Sequence, residues 1–180
     1  MNRCRWVNLN NKKSIEYHDN EWGKEEHDER MLFELLVLEG FQAGLSWECV
    51  LNKRKYFREA FDNFDYIKIS KYDGEKIDKL LNNQNIIRNK LKVNAAITNA
   101  KVFIEIQKEF GSFDKYIWNF TNGKVIKNMD DNLKTTSKLS DKISKDLKKR
   151  GMKFVGSTII YSYLQAIGII NDHELNCDFY

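Results

Sequence analysis

The stretch 28–41, DERMLFELLVLEGF, constrains this chain more than any other. Met31, Leu32, Phe33, Leu35, Leu36, Val37 and Leu38 follow one another with only Glu34 between them, so a helix here is apolar around nearly its whole circumference. Such a helix belongs at the centre of a fold, with Asp28 as its N-cap. Glu39 is the oddity, because it continues the Leu32, Leu35, Leu36 stripe at i+7 and points where a leucine belongs. An unpaired carboxylate in that place costs several kcal/mol, so it must find donors, a ligand or a proton.

Around this element the pattern predicts an all-α fold. The 180 residues contain no proline, show frequent 3.6-residue apolar spacing, and suffice for a single domain over 1–180 made of two helical lobes. A second helix carries Trp47, Val50, Leu51, Phe57 and Phe61, with Gly44 interrupting it. A shorter helix covers 75–81 and a long one 90–110, which a left-handed Gly111 stops. Residues 123–136 read as a polar loop, and Ser137 or Ser140 caps a basic helix ending at Arg150. The segment through Gly23 reads as irregular, but Trp6, Tyr17 and Trp22 imply that it is docked. No apolar run approaches the roughly 18 residues of a membrane span and no secretory h-region is visible, so a cytoplasmic protein without a membrane partner is expected.

The net charge of +4 is unevenly placed. Residues 134–153 hold eight Lys or Arg against Asp141 and Asp146, so this segment carries +6 and the rest of the chain −2. A basic patch is the footprint of a polyanion partner, although a solvated lysine-rich helix reads the same way. After it comes RGMKFVG, a glycine-rimmed turn whose backbone N–H groups and following helix N-terminus can face a phosphate. An ordinary helical hairpin is the alternative. Three cysteines, Cys4, Cys49 and Cys177, are too few and too odd for a disulfide framework, which leaves thiols for metal.

With RCRWV, YHDNEWG, FELLVLEGFQAGLSW, IIRNKLKVNAAITNA, LKKRGMKFVGSTIIYSYLQAIG and NDHELNC in this order, essentially the whole chain resembles the Tag family, the bacterial 3-methyladenine DNA glycosylases I of the helix-hairpin-helix superfamily. The resemblance implies an all-α, bilobal fold, with a helix-hairpin-helix at about 140–170 clamping double-stranded DNA that carries alkylated bases. It also implies a monomer that hydrolyses the N-glycosidic bond of 3-methyladenine by base flipping, without lyase activity.

By the same resemblance, Glu39 is the catalytic group, an anion that recognises the cationic base, while Tyr17 and Trp47 wall the base with Trp6 and Trp22 nearby. Core packing is the other reading of the tryptophans. Gly44 and Leu45 correspond to the family's wedge, against a helix break and a core leucine. Lys149, Arg150, Gly151, Lys153 and Gly156 become the DNA grip. One structural zinc, joining the N- and C-terminal segments, is implied at Cys4, His18, His173 and Cys177. Spacing alone allows only that His173 and Cys177 share a helical turn, is not that of a zinc finger, and by itself favours a surface histidine and two buried cysteines. Cys49 reads as a small core residue and His27 as solvated.

Two positions depart from the wider superfamily. Asn171 stands where an aspartate would support the sugar cation, with Asp172 beside it, and Thr158 stands where a lyase would carry lysine. Within the family, Ser14 replaces an expected pocket tyrosine. A DNA-binding module without activity and a zinc hydrolase are the competing readings.

Overall fold

A computed structural model describes residues 1–129 and 134–180. Its helices are α1 (Lys12–Asn20), α2 (Glu29–Gln42), α3 (Trp47–Ala60), α4 (Tyr66–Ile69), α5 (Gly74–Asn82), α6 (Lys90–Phe110), α7 (Phe113–Asn119), α8 (Lys138–Lys149) and α9 (Ser157–Ala166). Part of the loop expected at 123–136, namely 130–133, lies outside the described residues.

The predicted central helix is central. Asp28 caps α2, every residue from Leu32 to Phe41 is buried, and α3, α6, α7 and α9 all pack against it. Its first buried carboxylate, Glu34, meets guanidinium groups from Arg30 at 2.7 Å, Arg54 at 2.6 Å and Arg58 at 2.8 Å. Against the upward push of burial, Arg58 and Arg54 hold the Glu34 carboxyl below its usual range.

Three expectations change. The fold is mostly helical but not purely so, because β1 (Ile126–Lys127) and β2 (Ile170–Asn171) form a parallel pair. Two residues per strand are too few to show an alternating pattern. The N-terminal segment is not irregular throughout: Asn11 caps α1, and Ser14, Tyr17 and His18 turn inward at i, i+3 and i+4. Its lysines and acids lower the apolar count that a periodicity search needs. Gly44 does not interrupt a helix; it sits at φ +78° in the turn between α2 and α3.

The N-terminal segment is then tied to the far end of the chain. Gly23 N–H donates to Gln165 O and Glu26 N–H to Ile167 O, at 2.9 and 3.1 Å. Gly168, at φ +75°, lies so close that a Cβ would come within 2.2 Å of the Lys24 carbonyl carbon. Only glycine serves there.

Candidate active site

Where the two chain ends meet the last turn of α2, the protein encloses a cavity of about 360 Å³, within the usual size range of a small-molecule site. Tyr17 reaches it from α1, Glu39 from α2 and Trp47 from the first turn of α3, where Ser46 provides the cap. Trp6 and Trp22 complete an aromatic wall. Ring centroids are 5.2 Å apart for Tyr17 and Trp47, and 5.0 Å for Trp6 and Trp22. All four aromatics line the cavity, so none of them is core filler alone.

Glu39 is only 3 % exposed. Burial pushes its carboxyl up to about 8, so the group expected as an anion is mostly neutral at pH 7 when the cavity is empty. Its Oε2, Trp47 Nε1 and Asp172 Oδ1 are buried without a hydrogen-bond partner among the described residues. Buried polar atoms without partners are uncommon, and each costs about 1–3 kcal/mol. Here the Trp47 N–H, an Asp172 oxygen and a Glu39 carboxyl that can donate when protonated border the same space.

Asp172 is the acid that the reading centred on Asn171 passed over. Its Oδ2 accepts from Tyr161 Oη at 2.6 Å and Gln165 Nε2 at 2.7 Å, and the residue lines the cavity. Asn171 instead accepts from the His173 N–H at 3.1 Å. Adjacent residues of extended chain face opposite ways, a signal that could have separated the two. Ser14 accepts from the Asn8 N–H at 3.1 Å and is not among the lining residues.

Beside this wall Cys4, His18, His173 and Cys177 come together, all buried, with ligand atoms within 4.8 Å of one another. Sulfur–nitrogen separations are 3.5 Å from His173 Nδ1 to each cysteine and 3.6 Å from His18 Nε2 to Cys177. A tetrahedral ion with bonds of about 2.3 Å to sulfur and 2.0 Å to nitrogen spaces its donors by about 3.5 Å. The outer ring nitrogens are also engaged, His18 Nδ1 with Asp19 at 2.8 Å and His173 Nε2 with the Trp22 carbonyl at 3.1 Å. Such contacts orient ligating imidazoles. The cluster can therefore hold a metal ion, and its donors suit zinc. Cys49 stands apart and half-buried, not in the core. His27 is not simply solvated: it bonds Asp114 at 2.7 Å and stacks on Trp118.

α8 packs against α9 across the turn at 150–156, within which Gly151 sits at φ +102°. Lys148, Lys149 and Lys153 are exposed, and the N-cap Gly156 has no side chain to occupy the first N–H groups of α9. Arg150 departs from the expected grip. It pairs with Asp146 at 2.7 Å and Glu109 at 2.6 Å and lies over Phe110 and Tyr116, so its guanidinium is committed within the protein. Leu45, 42 % exposed, is not a core leucine; with Gly44 it forms a protruding apolar turn.

Residues 6–180 match the sequence profile of the methyladenine glycosylase family. The chain belongs to that family. It is 42% identical over 183 residues to DNA-3-methyladenine glycosylase 1 of Escherichia coli (strain K12), covering 100% of this chain and 97% of the relative. A crystal structure of 3-methyladenine DNA glycosylase I is 44% identical with a TM-score of 0.94, each chain covered to 98%. A tyrosine-to-phenylalanine variant of 3-methyladenine DNA glycosylase I in complex with 3-methyladenine is 33% identical with a TM-score of 0.94, covering 99% of this chain and 97% of the other. Besides the four aromatics and Glu39, this methyladenine glycosylase lines its cavity with Gln42, Ser162, Gln165 and Asp172. Their neutral or locally bonded character gave no distinguishing pattern in sequence.

Proposed function

We propose that this chain is a monofunctional DNA glycosylase that excises 3-methyladenine from alkylated double-stranded DNA in the cytoplasm, acting as a monomer. The observation that carries it is the set of unpartnered polar atoms on Glu39, Trp47 and Asp172 around one aromatic cavity. A flipped purine offers ring faces for stacking and an edge with both donors and acceptors. The bound 3-methyladenine of the structural relative agrees with that occupant.

Glu39 is the recognition group in this reading. A cationic base entering a low-dielectric site lowers the cost of the carboxylate, whose proton leaves to solvent; neutral adenine offers no such gain. The C1′–N9 bond then breaks with its electron pair moving to N9, so the base leaves neutral and positive charge passes to the sugar. Water adds at C1′ and loses its proton to solvent. Glu39, Asp172 and Glu174 line the cavity against a single lysine among its described lining residues, Lys134, a balance that supports positive charge in either place, while Tyr17 and Trp47 hold the departing base. Thr158, in place of a lysine, leaves no amine there for strand cleavage.

The α8–α9 pair serves as the helix-hairpin-helix of a bilobal domain, with Lys149, Lys153, Gly151 and Gly156 gripping phosphates. Gly44 and Leu45 enter the gap left by the flipped base. One structural zinc at Cys4, His18, His173 and Cys177 joins the chain ends. Four protein donors leave no open position for water, so the ion stabilises and does not activate a nucleophile. Free 3-methyladenine released from methylated duplex DNA, with the strand intact, is the expected result for the zinc-loaded protein. No release by the wild type would overturn the reading in favour of a DNA-binding module.

A further inference from the structure

Two polar side chains on α6 do something that neither base recognition nor metal binding explains. Lys92, 7 % exposed, donates from Nζ to Phe41 O at 2.8 Å and Ala43 O at 2.6 Å. These carbonyls end α2 immediately before the Gly44–Leu45 turn, and a cation beside them complements the helix dipole. Asn99, 4 % exposed, grips the hairpin turn in the same manner. Its Oδ1 accepts from Lys153 N–H at 2.8 Å while its Nδ2 donates to Lys153 O at 2.9 Å.

The two residues are seven apart on one helix and therefore share a face. Gly40 and Phe154 join them around one crevice. A Cβ on Gly40 would come within 3.4 Å of Phe154 Cβ, so α2 and the hairpin turn already touch. Phe154 itself is held at φ +54°, a left-handed backbone that is unfavourable for a bulky residue and persists only where its surroundings enforce it.

We infer that Lys92 and Asn99 form a two-point brace, with α6 as the bar, that fixes the Leu45 turn and the hairpin turn in one register on the duplex. The inference rests on the glycosylase reading. Both are positioning residues. The hairpin holds the backbone beside the lesion while Leu45 enters the stack, and extrusion requires the spacing between those actions to stay constant. A free base entering the cavity needs neither.

Lys92→Met, Asn99→Ala and the double variant are compared with wild type for 3-methyladenine release from duplex DNA, and for binding of free 3-methyladenine by tryptophan fluorescence. Each single change should lower duplex kcat/KM about 10- to 50-fold while base affinity stays within about twofold. Lys92→Arg, which keeps the cation, should recover most of the loss. Residues seven apart on a helix are about 10 Å apart and should contribute additively if independent. A shared register predicts that the double variant falls little below the worse single.

Base affinity falling in step with excision would overturn the inference, as would unaffected excision or penalties that multiply. Failure of both singles to fold at assay temperature would also count against it, by making the junction purely structural. Absence of base release by the wild type would refute the glycosylase reading instead.

Discussion

Glu34 and Glu39 lie five residues apart on α2, both buried, and the fold treats them oppositely. Glu34 is enclosed by three guanidinium groups, whereas Glu39 has none and keeps an oxygen without a partner. One carboxylate is satisfied by the protein. The other finds no partner for one oxygen among the described residues. Polar burial on one helix thus takes two forms, a partnered acid and an acid left open to a cavity.

The largest effect should come from removing the satisfied acid. Glu34→Ala removes the carboxylate shared by Arg30, Arg54 and Arg58 and leaves buried Arg54 with Glu21 alone, at 2.7 Å, and should cost about 3 kcal/mol in urea unfolding; a loss below about 1 kcal/mol would mean that Glu21 suffices for it. Glu39→Gln should instead reduce base release about 100- to 1000-fold, with the protein still folded. An equal drop in stability for both variants would erase the contrast.

Their pH dependences should have opposite signs. The Glu39 carboxyl is raised to about 8, so its stability contribution is complete below about 4.5 and is lost as pH rises through 8. Glu39→Gln should therefore gain stability relative to wild type with rising pH, by roughly 2–4 kcal/mol at pH 9. The Glu34 carboxyl is lowered, so its contribution is present above the ordinary carboxylate range and lost as pH falls below it. Thermal melts of both variants and wild type from about pH 2 to 9, which spans both windows, would check the two slopes.

The metal cluster extends the comparison, because its histidines, like Glu34, are fully partnered. Cys177→Ser, or chelation, should lower Tm by about 10 °C or more in a chain of this size. Residual folded protein should still take up free 3-methyladenine. The smallest effects belong to the grip: Lys149→Ala or Lys153→Ala should weaken DNA binding severalfold, equally for lesion and undamaged duplex, and reduce the salt slope by about one.

Long amphipathic helices were legible in the sequence because burial follows their period. The ends of α6 and the cap of α2 fall where spacing and cap residues put them. Glu39 was legible as an acid on a leucine stripe. Glu34 was visible too, but its partners Arg54 and Arg58 arrive from α3, and a contact between helices leaves no trace in local spacing. The same holds for Arg150, whose charge suggested phosphate until Glu109, from another helix, claimed it. β1 and β2 pair residues more than forty positions apart, and Asp172 was visible only as a neighbour of Asn171, because its place in the cavity depends on which way the chain faces there. The roles of the pocket residues came from family resemblance; periodicity alone would not have gathered residues 6, 17, 22, 39 and 47 around one cavity.

The contact of Gly23 and Glu26 with the end of α9, and of Cys4 and His18 with His173 and Cys177, has a consequence for how the protein is made. Trp6, Tyr17, Glu39 and Trp47 leave the ribosome first, but Gln165, Asp172 and the Cys177 side chain, which complete the same region, leave last. A nascent chain can bury α2 against α3 and α6 early, since those contacts are closer in sequence. It cannot close the cavity until Cys177 has been added. A chain that stops before residue 165 lacks Gln165, Asp172 and Glu174 from the cavity wall and two of the four cluster donors.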